Sequence, residues 1–445
     1  MVAAPAPVQD LSDEVPVART VTVTDLADFV DELAAYHAYY APYFRPDQQA
    51  WAAFYLRGLL TADVPRKNIE AMVLRLLGAG PDADRPVRAA QYFISEGKWD
   101  DAPVLAAHHR LVNETLGEAD GVLILDGSDV PKQGQHSVGV ARQWCGATGK
   151  RDNCQAGVYL GYASRRGYAL LDRRLYLPAA WFTAAYHERW QACGIPAGTV
   201  FQTKPELATA LVDGVMSQRR VPAQWVACDE GFGNDPALLD HIARQGLWYL
   251  AEVPRDTLVW PLTEPDGTAR ARPRRWVPPR RTSGRGRPPQ AEQLHPDSPP
   301  RVRVDAWAAQ VPADRWQRYR ILEGSKGPLV AEFVTVRVVL ARDGLPGPEG
   351  WLVVRRTLPT GEEPTVSKYY LSNAPADTPE RALVRVSGLR WPIEACFTEG
   401  KSEVGLDHYE VRTWRGWHHH MTLVLLAHFF LMRLVLRLNQ REGGL

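Results

Sequence analysis

The stretch Gly121-Val122-Leu123-Ile124-Leu125-Asp126 is a short, wholly apolar run that ends in a carboxylate. Such a run predicts a β-strand that is buried on both faces of a sheet, with the aspartate at its carboxyl-terminal edge. The stretch Gln224-Trp225-Val226-Ala227-Cys228-Asp229 has the same form and also ends in aspartate. Open α/β sheets bind ligands beyond the carboxyl ends of their strands. Both aspartates are therefore candidate site residues.

The chain around these two stretches predicts an α/β sheet. Further strands are expected at 153–163, 168–176 and 247–253, and helices at 204–217 and 234–245. Three sequential strands that are followed by alternating helices and strands indicate a sheet with crossover connections.

The region before this sheet has a helical pattern. Helices are expected at 48–60, 66–77, 85–95 and 102–116 because apolar residues recur there at three- and four-residue spacings. Basic residues near the helix ends are compatible with a DNA-binding domain, although a solvated surface is the more ordinary explanation. Residues 1–20 lack periodicity and are expected to form a loose arm.

A basic segment and a set of β-strands separate the sheet from the C-terminal helices. Residues 270–303 contain ten arginines against only Glu292 and Asp297. This segment is either a solvated linker or a loop that contacts phosphates, since like charges repel one another unless a polyanion neutralises them. Strands are expected afterwards at 329–340, 351–357 and 368–371.

The stretch from Leu389 to Lys401 carries a third candidate. It places Arg390, Glu394 and Lys401 at spacings of four and seven, which share one face of an α-helix. Pro392 predicts that the helix begins there, which would leave Arg390 on the preceding turn. Taken alone, this pattern is also typical of an ion-paired, solvated helix face.

Asp126, Asp229 and Glu394 together suggest a site for hard cations, because Mg²⁺ prefers oxygen ligands. Two such ions about 3.5–4 Å apart can activate an attacking oxygen and stabilise the leaving oxygen of a phosphodiester. Each acid has neighbours that compete for the role. Those competitors are Asp129, Glu230, Glu399 and Glu403.

Several motifs resemble those of DDE-type insertion-sequence transposases. The third motif of one broad branch reads Tyr-x2-Arg-x3-Glu-x6-Lys, and Arg390, Glu394 and Lys401 match it, with Ser387 in the tyrosine position. The stretches 125–128 and 226–233 resemble the first and second aspartate motifs. Residues 131–143 resemble the segment after the first aspartate in the insertion sequence seven-oh-one group. The likeness extends from about Arg45 to Leu431.

The resemblance implies an α/β fold with a ribonuclease-H-like mixed sheet flanked by helices. It adds a helical N-terminal domain and a β-rich insertion before the last catalytic helix. The implied domains are a flexible arm (1–20), a helical DNA-binding domain (21–117), the catalytic core (118–253 and 376–445) and the insertion (254–375). The implied catalytic and metal residues are Asp126, Asp229 and Glu394, with two Mg²⁺ ions for which Mn²⁺ can substitute.

The implied activity is cut-and-paste transposition by a homodimer on double-stranded DNA, meaning both terminal inverted repeats and target DNA. The rival functions are a transposase-derived regulatory protein without catalysis and a ribonuclease-H-like nuclease without strand transfer. Expected phosphate clamps are Arg390 and Lys401. Weaker candidates for contact with DNA are Lys132, Arg142, Trp391, Arg274, Arg275, Arg280 and Arg281.

Composition agrees with a globular protein of this kind. The formal charge of +1 provides no global field for nucleic acid, so DNA contacts must come from local patches. Five scattered cysteines without a CxxC pair favour reduced intracellular thiols. The resemblance implies a cytoplasmic, nucleoid-associated bacterial protein. Residues 421–438 are apolar but interrupted by charges, which favours a buried helix and no membrane association.

Overall fold

The computed structural model describes residues 8–11, 29–80, 82–277, 291–322, 328–358 and 367–442. The described helices are α1 (Phe29–Tyr40), α2 (Pro46–Leu59), α3 (Ile69–Leu77), α4 (Asp84–Ser95), α5 (Asp101–Leu116), α6 (His187–Ala192), α7 (Lys204–Met216), α8 (Glu230–Gly233), α9 (Pro236–Arg244), α10 (Val304–Ala308), α11 (Glu380–Gly388), α12 (Trp391–Ser402) and α13 (Trp414–Glu442). The described strands are β1 (Val8–Asp10), β2 (Val122–Pro131), β3 (Ala141–Cys145), β4 (Lys150–Ser164), β5 (Gly167–Tyr176), β6 (Trp225–Cys228), β7 (Trp248–Val253), β8 (Leu258–Pro261), β9 (Arg275–Trp276), β10 (Gln293–Leu294), β11 (Val302–Arg303), β12 (Gln317–Leu322), β13 (Pro328–Arg342), β14 (Leu345–Thr357) and β15 (Ser367–Ser372).

The chain folds into two compact units. The first unit comprises Met1–Glu14 and Gln224–Arg390, and the second comprises Val15–Ala223 and Trp391–Leu445. The predicted mixed α/β architecture, with sheets flanked by helices, is confirmed. The predicted strands and helices named above also occur, with bounds that differ by a few residues.

A mixed sheet forms the centre of the first unit. Its strands follow the order β1-β12-β13-β14-β15-β7-β6, and β8 pairs with both β13 and β11. The β6–β7 and β1–β12 pairs are parallel, and the other pairs are antiparallel. Thus Val8–Asp10, within the expected N-terminal arm, is a strand that pairs with β12.

The second unit contains an antiparallel sheet built around the long strand β4. Strand β2 pairs with one edge of β4, while β3 and β5 pair in succession with its other edge. The expectation that β2 ends at Asp126 is wrong. Residues 127–131 stay in the strand because β4 is long enough to pair with each of them, from Gly127–Val158 to Pro131–Cys154.

The C-terminal helix α13 is the core helix of the second unit. It packs against α2, α4, α5, α12 and β5. By length and composition alone it could cross a membrane over Trp414–Asn439, but 72% of its most apolar window is buried inside the unit. His418, His419 and His420 point in different directions, and their Nδ1 atoms lie at 2.8–2.9 Å from Trp414 O, Ile94 O and the Tyr55 hydroxyl respectively.

A buried ion-pair network links three elements of the second unit. The Arg173 guanidinium on β5 is almost fully buried and pairs with Asp172 at 3.1 Å and with Asp101 on α5. It also donates to the Thr422 hydroxyl on α13 at 2.6 Å. Because a buried charge requires a partner, this network ties the helices to the sheet.

Candidate active site

Asp126 lies in the middle of β2, on one face of the sheet in the second unit. Its side chain is half-buried, and one carboxylate oxygen accepts a hydrogen bond from the Gly127 N–H at 2.7 Å. Its cross-strand partner on β4 is Tyr159. Directly opposed residues of an antiparallel pair project from the same face, so the Tyr159 ring marks the face that carries Asp126.

Helix α12 packs on that same face. The Phe397 ring lies 5.1 Å from the Tyr159 ring, and the Ile393 side chain closely approaches Gly161, where an added Cβ would lie 3.4 Å from it. Phe397 follows Glu394 by three residues, so the two side chains share a stripe of the helix. Glu394 is exposed. The predicted third carboxylate is thus carried by the helix that covers the Asp126 face.

The competing glutamates of this helix have other roles. Glu399 is half-buried and accepts hydrogen bonds from the Tyr168 hydroxyl at 2.7 Å and from His428 Nε2 at 2.8 Å. Burial opposes its ionisation, but His428 and Tyr168 outweigh that effect and lower the pKa of Glu399. Glu403 lies beyond the helix end and accepts from the Ser402 hydroxyl. Glu394 stays the predicted metal ligand among the three, because it lies on the helix that covers the Asp126 face.

Asp129 projects from the opposite face of β2. Successive strand residues alternate between faces, so Asp126 and Asp129, three apart, lie on different sides. Asp129 Oδ2 accepts from the Gly146 N–H at 2.7 Å, and Oδ1 lies 3.9 Å from Lys204 Nζ. Asp129 therefore anchors the turn at Gly146. Of these two aspartates, only Asp126 lies on the side of the sheet against which α12 packs.

Asp229 lies directly after β6 in the first unit, as predicted, and caps the N-terminus of α8. Its carboxylate accepts from the Phe232 N–H at 3.3 Å. Glu230, the neighbouring competitor, is the first residue of α8 and is exposed. Burial raises the pKa of Asp229, the nearby Arg390 guanidinium partly offsets this effect, and the Glu252 carboxylate adds to it.

Arg390 occupies the turn between α11 and α12, so the predicted helix boundary after it is confirmed. Its Nε lies 3.6 Å from Glu252 Oε2, which also accepts a hydrogen bond from Lys368 Nζ at 3.2 Å. All three side chains are largely buried. Sequence reasoning missed Glu252 and Lys368, since nothing in β7 or β15 distinguishes them from ordinary strand residues. Ser387, in the tyrosine position of the motif, is buried and donates to Val384 O within α11.

Removing the Arg390 charge is expected to change the pH dependence of any activity that needs ionised Asp229. In Arg390→Gln the pKa of Asp229 should rise further, because the cation that favours its charged form is lost. A metal ligand must be ionised, so the acidic limb of the pH–rate profile should move to higher pH. Arg244→Gln, which removes an exposed guanidinium from α9 of the same unit, is the control. An unmoved acidic limb in Arg390→Gln would contradict this electrostatic coupling.

The remaining candidates for DNA contact differ in their exposure. Lys401 is half-buried on α12, and Arg142 is exposed on β3. Lys132 lies 3.7 Å above the Tyr409 ring, and burial lowers its pKa to about 8. Trp391 is buried against Tyr168, with ring centroids 5.8 Å apart. Burial counts against a contact of either Lys132 or Trp391 with DNA.

The described part of the basic segment is better neutralised than its sequence suggests. Arg274 and Arg275 face Asp297 and Glu292, at 3.9 and 2.8 Å. Three further arginines pair with carboxylates, namely Arg270 with Glu264, Arg272 with Glu349 and Arg303 with Asp305. The predicted contacts Arg280 and Arg281 lie outside the described residues. Because exposed pairs of this kind are weak, at about 0–1 kcal/mol, phosphates could replace the carboxylates.

The donor chemistry of these acids fits a divalent cation. Carboxylate oxygens are the ligands that Mg²⁺ and Mn²⁺ accept, and a bound cation would favour the ionised form that burial of Asp229 opposes. Within the described ranges, no three or more histidine, cysteine or acidic side chains form a group that could hold a metal ion.

Comparison with known proteins shows the family of the chain. A family model described as DDE superfamily endonuclease matches residues 38–328, which is more than half of the 445-residue chain and includes Asp126 and Asp229. No curated protein matches the chain. The mixed α/β architecture agrees with a ribonuclease-H-like DDE fold, and the family implies DNA as the substrate. The chain belongs to the DDE superfamily endonuclease family.

Proposed function

We propose that this protein is a cut-and-paste DNA transposase of the insertion sequence seven-oh-one group. The observation that most supports the proposal is the packing of α12, which carries exposed Glu394, on the sheet face that carries Asp126. The family match to an endonuclease supports cleavage of DNA independently of this packing.

In the proposed reaction, water attacks a phosphodiester at each end of the element and releases a 3′-hydroxyl. That hydroxyl then attacks a phosphodiester of the target DNA, forming one P–O bond as another breaks. Asp126, Asp229 and Glu394 would hold two Mg²⁺ ions, or Mn²⁺ in their place, which supply electrostatic activation of the attacking oxygen and stabilisation of the leaving oxygen. The protein would act as a homodimer that brings two element ends together.

Arg390 and Lys401 would bind the phosphates around the cleaved bond. A guanidinium can hold two phosphate oxygens in a planar fork, whereas an ammonium acts as a point charge. Glu252 supports this role of Arg390, because its Oε2 lies 3.6 Å from the Arg390 Nε and helps to position the guanidinium. Glu252 is therefore a positioning residue in the proposed site.

Cleavage of DNA that carries the element ends tests the proposal. The ends are found as inverted repeats that bracket the reading frame in its genomic DNA. The purified chain is expected to nick these ends in Mg²⁺ or Mn²⁺ and to lose all cleavage when the ion is chelated. Cleavage that continues at the same rate with the chelator present would exclude the proposed metal chemistry.

A further inference from the structure

Strands β3 and β4 and the turn between them form a hairpin that extends beyond the end of β2. Residues 150–153 of β4 continue past the last β2 partner, Cys154, and pair with β3. One face of this hairpin is turned inward and carries Cys145 and Cys154, which are both fully buried. Its other face, here called the outer face, carries Arg142, Trp144 and Arg151, and all three side chains are exposed.

Trp144 is unusual among the tryptophans of this chain. Of the fifteen, all of which the structure describes, it alone belongs to the exposed class, with 62% of its surface accessible. An exposed aromatic ring offers a face on which an unpaired base can stack. Trp144 is therefore a better candidate for stacking than the buried Trp391.

Two arginines flank the exposed ring. Arg151 is the direct cross-strand partner of Trp144, so their Cβ atoms lie about 4.5–5.5 Å apart. Arg142 precedes Trp144 by two residues on the same face, about 7 Å along the strand. Among the described residues, neither guanidinium has an ion-pair partner, whereas Arg274 and Arg275 of the basic segment each face a carboxylate. An aromatic ring between two uncompensated cations is complementary to a nucleic-acid strand.

The hairpin is held firmly at its turn. The Gly146 N–H donates to the Asp129 carboxylate at 2.7 Å, and the Gly149 N–H donates to Cys145 O at 2.9 Å. Gly149 has a positive φ of 64°, which glycine adopts at little cost. The outer face is thus presented on a fixed platform, so binding does not require ordering of a loop.

We propose that the outer face binds a DNA strand with an unstacked base. The base stacks on Trp144, and Arg142 and Arg151 contact the phosphates on either side of it. This inference rests on the proposed function, in which the protein binds cleaved DNA strand ends.

Binding to a duplex with a 3′ single-stranded overhang containing 2-aminopurine tests the proposal. Trp144→Ala is expected to weaken binding of the overhang about tenfold, since base stacking contributes roughly 1–3 kcal/mol. The double variant Arg142→Gln/Arg151→Gln should reduce the slope of log affinity against log salt by about 1.4, or about 0.7 for each phosphate of a single strand. Trp144→Phe should retain most of the affinity. Tyr92→Ala on α4, which removes an equally exposed ring, is the control and should change neither quantity.

Different results distinguish a failure of this inference from a failure of the proposed function. If the parent binds the overhang and the Trp144 and arginine variants bind equally well, the hairpin is not the contact, although DNA binding stands. If the parent binds no DNA at all, the proposed function fails together with the inference. If Trp144→Ala lowers the oligomeric mass and leaves affinity for the overhang unchanged, a second copy of the chain occupies the face, and the inference is overturned.

Discussion

Glu394→Gln is expected to lower metal-dependent DNA cleavage by roughly 10³-fold while leaving binding of the element ends close to that of the parent. A ligand that positions a catalytic ion contributes several kcal/mol to stabilisation of the transition state, and about 4 kcal/mol corresponds to 10³ in rate. The change is nearly isosteric and lies at an exposed position, so the fold should not be affected. Cleavage rate and end-binding affinity are measured on the same preparation.

Two glutamates near Glu394 provide matched controls. Glu403→Gln changes an exposed carboxylate just beyond α12 and should cleave like the parent. In the parent, Tyr168 and His428 stabilise the half-buried charge of Glu399, so Glu399→Gln should lower stability. It should leave the chemistry intact at low temperature. Equal cleavage rates for Glu394→Gln and the parent would remove Glu394 from the catalytic set.

Arg173→Met is expected to destabilise the second unit by about 3–5 kcal/mol at neutral pH. The substitution removes the cation that compensates Asp101 and Asp172, and breaking a buried pair from one side leaves an uncompensated charge. The melting temperature should fall by the order of 10 °C, at about 2–4 °C for each kcal/mol in a unit of this size. Arg174→Met, at the adjacent and more exposed position, should change the stability by about 0–1 kcal/mol.

The effect of Arg173→Met should depend on pH. Burial opposes ionisation of both Asp101 and Asp172. Arg173 and His418 outweigh this effect at Asp101, and Arg174 and Arg173 outweigh it at Asp172. The pKa values of both carboxyls therefore lie below the ordinary range. Carboxylates with lowered pKa values stabilise the folded state above their unfolded pKa of about 3.9, and that stability is lost as the pH falls further. The difference in free energy of unfolding between parent and variant should therefore shrink as the pH falls and both carboxyls become protonated. A difference that stays constant down to pH 2 would contradict this account.

The regular elements of this fold were predictable because their sequences carry local signals. Apolar runs such as 121–126 and 224–229 identify buried strands, and three- and four-residue spacings identify the N-terminal helices. The end of β2 was not predictable. Gly127, Ser128 and Asp129 have low strand propensity, and pairing with the long strand β4 overrides that preference.

The environment of charged and aromatic side chains could not be deduced from local patterns. Arg272 pairs with Glu349, 77 residues away, so the basic segment looked uncompensated in the sequence alone. The local sequence does not show which of Trp144 and Trp391 is exposed. Trp144 is exposed on a hairpin, and Trp391 is buried against Tyr168. These differences depend on tertiary contacts between residues that are distant in the chain.

Joining of pre-cleaved element ends to a supercoiled target in Mg²⁺ distinguishes a transposase from both of its rivals. The parent is expected to join the free 3′-hydroxyls to target DNA, and Glu394→Gln is expected to give no joined product although it still binds the ends. A regulatory protein would bind the ends without cutting or joining them, and a simple nuclease would cut uncleaved ends without joining them. Joined products that depend on Glu394 and on the metal ion are the predicted result; binding or cutting by the parent without any joined product would contradict transposition.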